Sequence, residues 1–161
     1  MNEVLFRAYD EGRKEYLSDG NLFIAINKGR NPHKSEIYLD EISNADKYKE
    51  RFVIERYTGL TDKHGNKIFE GDILKYYVWG TYECFAVVRI GEYEQDGSGD
   101  EYPAIKVCGV YAEVKKYCPL IKGDGDYFPE YLKKSSLLEI GIDNFDLVGN
   151  IHDNPKLLNS Q

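Results

Sequence analysis

Cysteine is scarce in this sequence, with three residues in 161, and tryptophan and methionine occur once each. Cys84, Cys108 and Cys118 are odd in number and widely spaced, which fits neither a disulfide framework nor a zinc motif. They read as reduced thiols of a cytoplasmic protein. Basic charge is also short: 21 Lys and Arg face 28 Asp and Glu, a formal net charge of −7. Proteins grip duplex DNA mainly by neutralising its phosphates, so this balance disfavours nucleic acid as a partner while leaving room for a local basic patch. No apolar run approaches the roughly 20 residues that a membrane span needs, so no membrane partner is expected. The opening Met1–Asp10 stretch has no cationic segment leading into an apolar one, so no secretion signal is expected either.

Motifs of known chemistry are missing as well. Gly97-Ser98-Gly99 and Gly123-Asp124-Gly125 lack the lysine and the strand-to-helix context of a phosphate cradle. Asp96-Gly97-Ser98-Gly99-Asp100 alternates oxygen ligands but lacks the glycine and the closing glutamate of a calcium loop. His33, His64 and His152 are dispersed, without metal-ligand spacing. The carboxylate pairs Glu70/Asp72, Asp124/Asp126 and Asp143/Asp146 are of a kind that any acidic chain contains. No catalytic residue, cofactor or metal is therefore expected.

What the sequence does hold is tyrosine: 14 of them, against 7 Phe. Tyrosine suits half-buried pleated surfaces, where the ring packs and the hydroxyl reaches water. Short apolar runs are punctuated by turn residues every 8 to 15 positions, a spacing that predicts a mainly β, β-rich α+β domain. The expected form is a small curled sheet or SH3-like barrel with one or two short helices. Strands are expected at Val4–Tyr9, Phe52–Tyr57, Ile68–Gly80, Tyr82–Ile90, Ala104–Val114 and Leu147–Ile151. Glu15–Leu17 and Leu22–Asn27 read as a hairpin around Asp19-Gly20. Pro129 predicts a helix from Pro129 to about Leu138, and Ser35–Glu50 reads as loop plus one short helix. The length suits a single domain, 1–161, with residues 28–50 as its one seam.

The segment Tyr57–Lys75 is the most informative. Asp62-Lys63-His64-Gly65-Asn66 fits a reverse turn with Gly65 at positive φ, and Gly59 serves an earlier turn. Glu70-Gly71-Asp72 stands where a strand starts or kinks, and its glycine signals a bulge or a close backbone approach. Turn chemistry accounts for these residue types, which makes Tyr57, Gly59, Asp62, Gly65, Glu70, Gly71 and Asp72 an architectural corner. The functional alternative is that Tyr57, Glu70 and Asp72 converge on a ligand.

These residues carry a resemblance. Phe6-Arg7-Ala8-Tyr9-Asp10 resembles the opening of the YopX family. Tyr57-Thr58-Gly59-Leu60, then Asp62-Lys63, Gly65, Lys67-Ile68 and Phe69-Glu70-Gly71-Asp72-Ile73, resembles its central segment. Val148-Gly149-Asn150-Ile151 with Asn154-Pro155 and Leu157-Leu158 resembles its end. The resemblance implies a phage or prophage accessory protein of the host bacterial cytoplasm, with no activity and no catalytic residues to carry over. It leaves Tyr76–Leu147 without a recognised motif.

The expected role is therefore binding without catalysis: self-association into a homo-oligomer, and capture of a host or phage macromolecule. Two alternatives stand beside it. One is a small-barrel binder of single-stranded nucleic acid, hinted at by aromatics among the basic clusters Lys47–Arg51, Lys115-Lys116-Tyr117 and Lys133-Lys134. The other is a carboxylate-based enzyme centred on Glu70 and Asp72.

Overall fold

The computed structural model describes residues 5–17, 25–28, 35–38, 52–95, 104–120 and 128–159, the segments 25–28 and 35–38 through their backbone alone. The chain forms two compact units, Val4–Arg56 and Tyr57–Gln161. Strand is the dominant element in both, as the alternation predicts.

In the smaller unit, β1 (Phe6–Asp10) pairs antiparallel with β2 (Glu15–Tyr16) and with the first half of β5 (Phe52–Thr61). A separate ribbon joins β3 (Ala25–Lys28) to β4 (Ser35–Tyr38). The expected hairpin therefore forms differently: Glu15–Tyr16 pairs back onto β1, and Ala25–Lys28 pairs forward onto Ser35–Tyr38. The short loop Glu11–Lys14 brings β2 beside β1 at once, so Tyr9 and Tyr16 meet edge-on at 5.1 Å. The Asp19-Gly20 tip, His33, the short helix expected within Ser35–Glu50 beyond Tyr38, and the basic cluster Lys47–Arg51 lie outside the described residues.

The larger unit is built on a five-stranded antiparallel sheet, curled into a half-barrel, in the order β10-β9-β8-β7-β11. Its strands are β7 (Asp72–Val78), β8 (Tyr82–Gln95), β9 (Ile105–Pro119), β10 (Lys134–Ser136) and β11 (Phe145–Asn150), and β6 (Lys67–Phe69) pairs with the second half of β5. Side chains alternate across the pleat. Leu74 and Tyr76 of β7, Cys84, Ala86 and Val88 of β8, Ala112 of β9 and Phe145 of β11 thus share one buried core with Ile68, Phe128 and Leu137. The small Cys84, Ala86 and Ala112 leave space on the concave face for the larger Phe145, Phe128 and Leu137. Burial pushes the Cys84 thiol up to about 12, as befits an inert core residue. Phe128 stacks on Tyr117 at 4.7 Å and meets Tyr82 edge-on at 5.5 Å, closing one end.

Two local expectations are corrected. The segment after Pro129 is not one helix. It makes a 3-10 turn, Glu130–Leu132, then edge strand β10, then a single helical turn α1 (Leu137–Ile140). Lys134–Ser136 pair with Tyr111–Glu113, and Ser136 caps α1 by accepting from the Leu138 amide. Sheet pairing thus interrupts what Pro129 alone would start. Gly109 within the expected Ala104–Val114 strand also reads as a bulge signal, but Gly91 and Gly109 face each other in regular register, and the irregularity sits between Phe85 and Ala86.

Tyr76 is 4% exposed, and its hydroxyl has no hydrogen-bond partner among the described residues. Burial pushes the phenol far above its ordinary pKa, so it stays neutral. Tyr76→Phe deletes this unpaired oxygen and keeps the ring. Unfolding in urea should show stability unchanged or raised by up to about 1 kcal/mol. A clear loss of stability would show that the hydroxyl is engaged.

Candidate functional site

The Tyr57–Lys75 corner belongs to the larger unit, and its polar groups turn back on its own backbone. Asp62 is buried at 5% exposure. Its Oδ1 accepts from the amides of His64 (2.9 Å) and Asn66 (2.8 Å), and its Oδ2 from Asn66 Nδ2 (2.9 Å). The Asp62 amide donates to the Asn66 carbonyl, and the Gly65 amide to the Asp62 carbonyl. Gly65 takes φ +83, the left-handed value this closure needs. Burial pushes the Asp62 carboxyl up, but the Asn66 and His64 hydrogen bonds outweigh it and hold the group below its ordinary value. A carboxylate so engaged is a poor proton acceptor near neutral pH.

Gly59 sits at φ +85 in a wide bulge, where Tyr57–Thr61 of β5 spans the shorter Lys67–Phe69 stretch of β6. The Thr58 hydroxyl donates to the Ile68 carbonyl (2.8 Å) and accepts from the Leu60 amide (3.1 Å), pinning the bulge. Tyr57 and Asp72 both converge on Phe69. The Tyr57 ring packs 5.6 Å from the Phe69 ring, and Asp72 Oδ2 accepts from the Phe69 amide at 2.8 Å. Glu70 is half-buried in the intervening turn. Gly71, at φ +85, donates to the Val88 carbonyl and accepts from the Ile151 amide, so its peptide ties β8 to the C-terminal turn. Among the described residues, no group of three His, Cys, Asp or Glu side chains converges as a metal site. The loops Asp96–Asp100 and Gly123–Asp126 lie outside those residues.

The smaller unit holds a network that motif reading missed. Arg7 and Glu55 are direct cross-strand neighbours on β1 and β5. Glu55 is buried, and its Oε2 accepts from Arg7 Nε at 2.6 Å and from the Tyr16 hydroxyl at 3.0 Å. The Arg7 guanidinium also lies over the Tyr16 ring, 4.7 Å from its centre. Asp10, 1% exposed, accepts from the amides of Gly12 and Arg13 and so holds the β1–β2 loop. The available signal was Arg7 and Asp10 in the opening motif. Glu55 became visible only once the register was known.

A family model described as YopX protein matches residues 5–117, well over half of the chain. The chain belongs to the YopX family. No curated protein matches it. It is similar to the crystal structure of protein EF1440 from Enterococcus faecalis, at 23% identity and a TM-score of 0.43, over 99% of this chain and 100% of that one.

The YopX match contains the opening Phe6–Asp10 and the whole Tyr57–Lys75 corner. The terminal segment Val148–Leu158 lies beyond the matched residues, yet it uses the same chemistry. The Asn150 side-chain oxygen accepts from the amides of His152 and Asp153, and Asn154 accepts from the Asn150 amide. Gly149, at φ +153, lies so near Asn154 that a Cβ there would stand 2.2 Å from its side-chain oxygen. The residues that carry the family resemblance are thus largely devices for bending backbone and sealing its polar groups.

Two outcomes follow. Asp62→Ala leaves the corner amides unpaired and should cost about 2 kcal/mol at pH 7 in urea unfolding. The folded Asp62 carboxyl titrates below the unfolded value of 3.8. Its stabilisation is therefore complete above that value and fades as pH falls through the lower folded one. The gap between wild type and Asp62→Ala should narrow in that acid range. In the smaller unit, Arg7→Met leaves Glu55 as a buried charge without its cation and should cost about 3 kcal/mol, most of which Arg7→Met with Glu55→Leu recovers.

Proposed function

We propose that this YopX protein is a phage- or prophage-encoded accessory factor of the bacterial cytoplasm that acts by binding, without catalysis, and that it self-associates. The observation that carries the reading is the ribbon made by β8 and β9. These strands run 14 and 15 residues. Their neighbours are much shorter: β7 pairs only with Tyr82–Val87, and β10 only with Tyr111–Glu113. Gly91–Gln95 and Ile105–Val110 therefore pair only with each other among the described strands. A two-stranded ribbon is marginal in water, and an open edge is a template for another strand. Ile105, 58% exposed, lies on that edge strand. Pairing of the ribbon with a second copy of the chain, or with a strand of a partner, would complete it. The engagement of Asp62 and Asp72 by backbone amides supports binding over carboxylate catalysis.

Light scattering on the purified chain at micromolar concentration should report an oligomer. Ile105→Lys, which puts a charge on the edge, should shift it towards monomer while circular dichroism stays unchanged. A strictly monomeric wild type that also captures no host or phage macromolecule would overturn the reading.

A further inference from the structure

The convex face of the sheet bears a second feature, away from the ribbon edge. Register sets Asp146, Lys75, Phe85 and Lys116 side by side across β11, β7, β8 and β9. The Lys75 and Lys116 ammoniums flank the Phe85 ring at 5.9 and 5.5 Å from its centre. In the next row Tyr77 is 54% exposed, and its ring lies 5.7 Å from Lys75. Just beyond the end of β7 stands Trp79, 64% exposed, its ring 6.4 Å from that of Tyr131 in the 3-10 turn Glu130–Leu132.

Trp79 is held there against its own preference. The Val78–Thr81 turn closes with the Thr81 amide on the Val78 carbonyl, and both central residues are left-handed: Trp79 at φ +52 and Gly80 at φ +65. Such a turn favours asparagine or glycine first, and left-handed backbone is disfavoured for a bulky residue. A strained, exposed aromatic is a pointer to function.

Charge on this face departs from that of the chain. Lys63 pairs with Asp146 and Lys75 with Glu83, while Arg89 and Lys115 share Glu113. Lys116 lies against the Phe85 ring and is also attracted by the Glu83 carboxylate. Five cations thus face three carboxylates, in a protein whose net charge is −7. Glu83 opposes an anion here, since it holds Lys75 at 2.6 Å and accepts from the Tyr77 hydroxyl at 3.2 Å.

We infer that the face carrying Tyr77 and Phe85 beside Lys75 and Lys116 is a stacking platform for single-stranded nucleic acid, with Trp79 at the end of the same strand. Exposed rings take unpaired bases through their π faces, and the neighbouring ammoniums meet the phosphates. A duplex hides its bases from such a face and offers only its backbone. The weak cationic surplus makes stacking the larger contribution and predicts binding that is strongest at low salt.

Trp79 is the chain's one tryptophan and lies two residues from Tyr77, so its fluorescence reports on binding beside it. Titration with an oligo-deoxythymidylate of about twenty nucleotides at low salt should quench it saturably. Tyr77→Ala should weaken binding roughly five- to a hundredfold, the range of a lost aromatic–base stack. Lys116→Glu should also weaken it and flatten the salt dependence by a slope of about 0.7 or more. Both changes are at the surface and should leave circular dichroism and light scattering as in wild type, which keeps this test separate from self-association. Absence of quenching at low salt would overturn the inference. So would equal affinity for the matching duplex, or quenching by an oligo-glutamate peptide as strong as that by DNA, which would assign the face to an acidic protein partner.

Discussion

Four carboxylates, Asp10, Glu55, Asp62 and Asp72, are the buried polar side chains among the described residues. A carboxylate taken out of water is costly unless its lone pairs are met. Three of these are met by neighbours a few residues away, and Glu55 by distant side chains. Asp10 accepts from the two amides that follow it, Asp62 from two amides and a side-chain amide, Asp72 from the Phe69 amide, and Glu55 from Arg7 and Tyr16. The same bonds satisfy backbone N–H groups that chain reversals would otherwise leave unpaired. Three of the four thus hold a turn, and the fourth locks a strand pair. The β ladders can run only because these corners close.

This gives the family match a physical content. Its two legible segments within residues 5–117 are a strand ending in a carboxylate-held loop, and a bulge, turn and kink ending in a carboxylate-held strand. The C-terminal segment reaches the second of these through the Gly71 peptide, which accepts from Ile151. Stretches far apart in sequence therefore meet at one glycine whose left-handed backbone admits them.

The surfaces proposed to bind lie elsewhere, on the regular sheet these corners support. β7, β8 and β9 supply the rings of Tyr77 and Phe85 and the neighbouring ammoniums in fixed register, and the long ribbon supplies edges that are unpaired among the described strands. The division is physically reasonable. Corner residues are consumed by internal hydrogen bonds, whereas a strand always has a second face and, at the rim of a sheet, a second edge. Among the described residues, Trp79 is an exposed ring held on left-handed backbone.

Much of this could be read from residue order alone. Alternation and turn spacing indicate a mainly β chain, and Asp62, Gly65 and Gly71 mark the corner, because turn chemistry depends on neighbours a few positions apart. Pairing could not be read in that way. Which strand lies beside Glu15–Tyr16, why Lys134–Ser136 leave a helical context, and that Arg7 faces Glu55 are set by contacts between distant residues. The platform around Phe85 likewise assembles from three strands separated by loops of unrelated composition. Local conformation is thus written in the sequence, because sterics and short-range hydrogen bonds act within a few residues. The neighbours of each strand, and hence every surface able to bind, were decided only by tertiary packing, because burial rewards whichever distant partners fit.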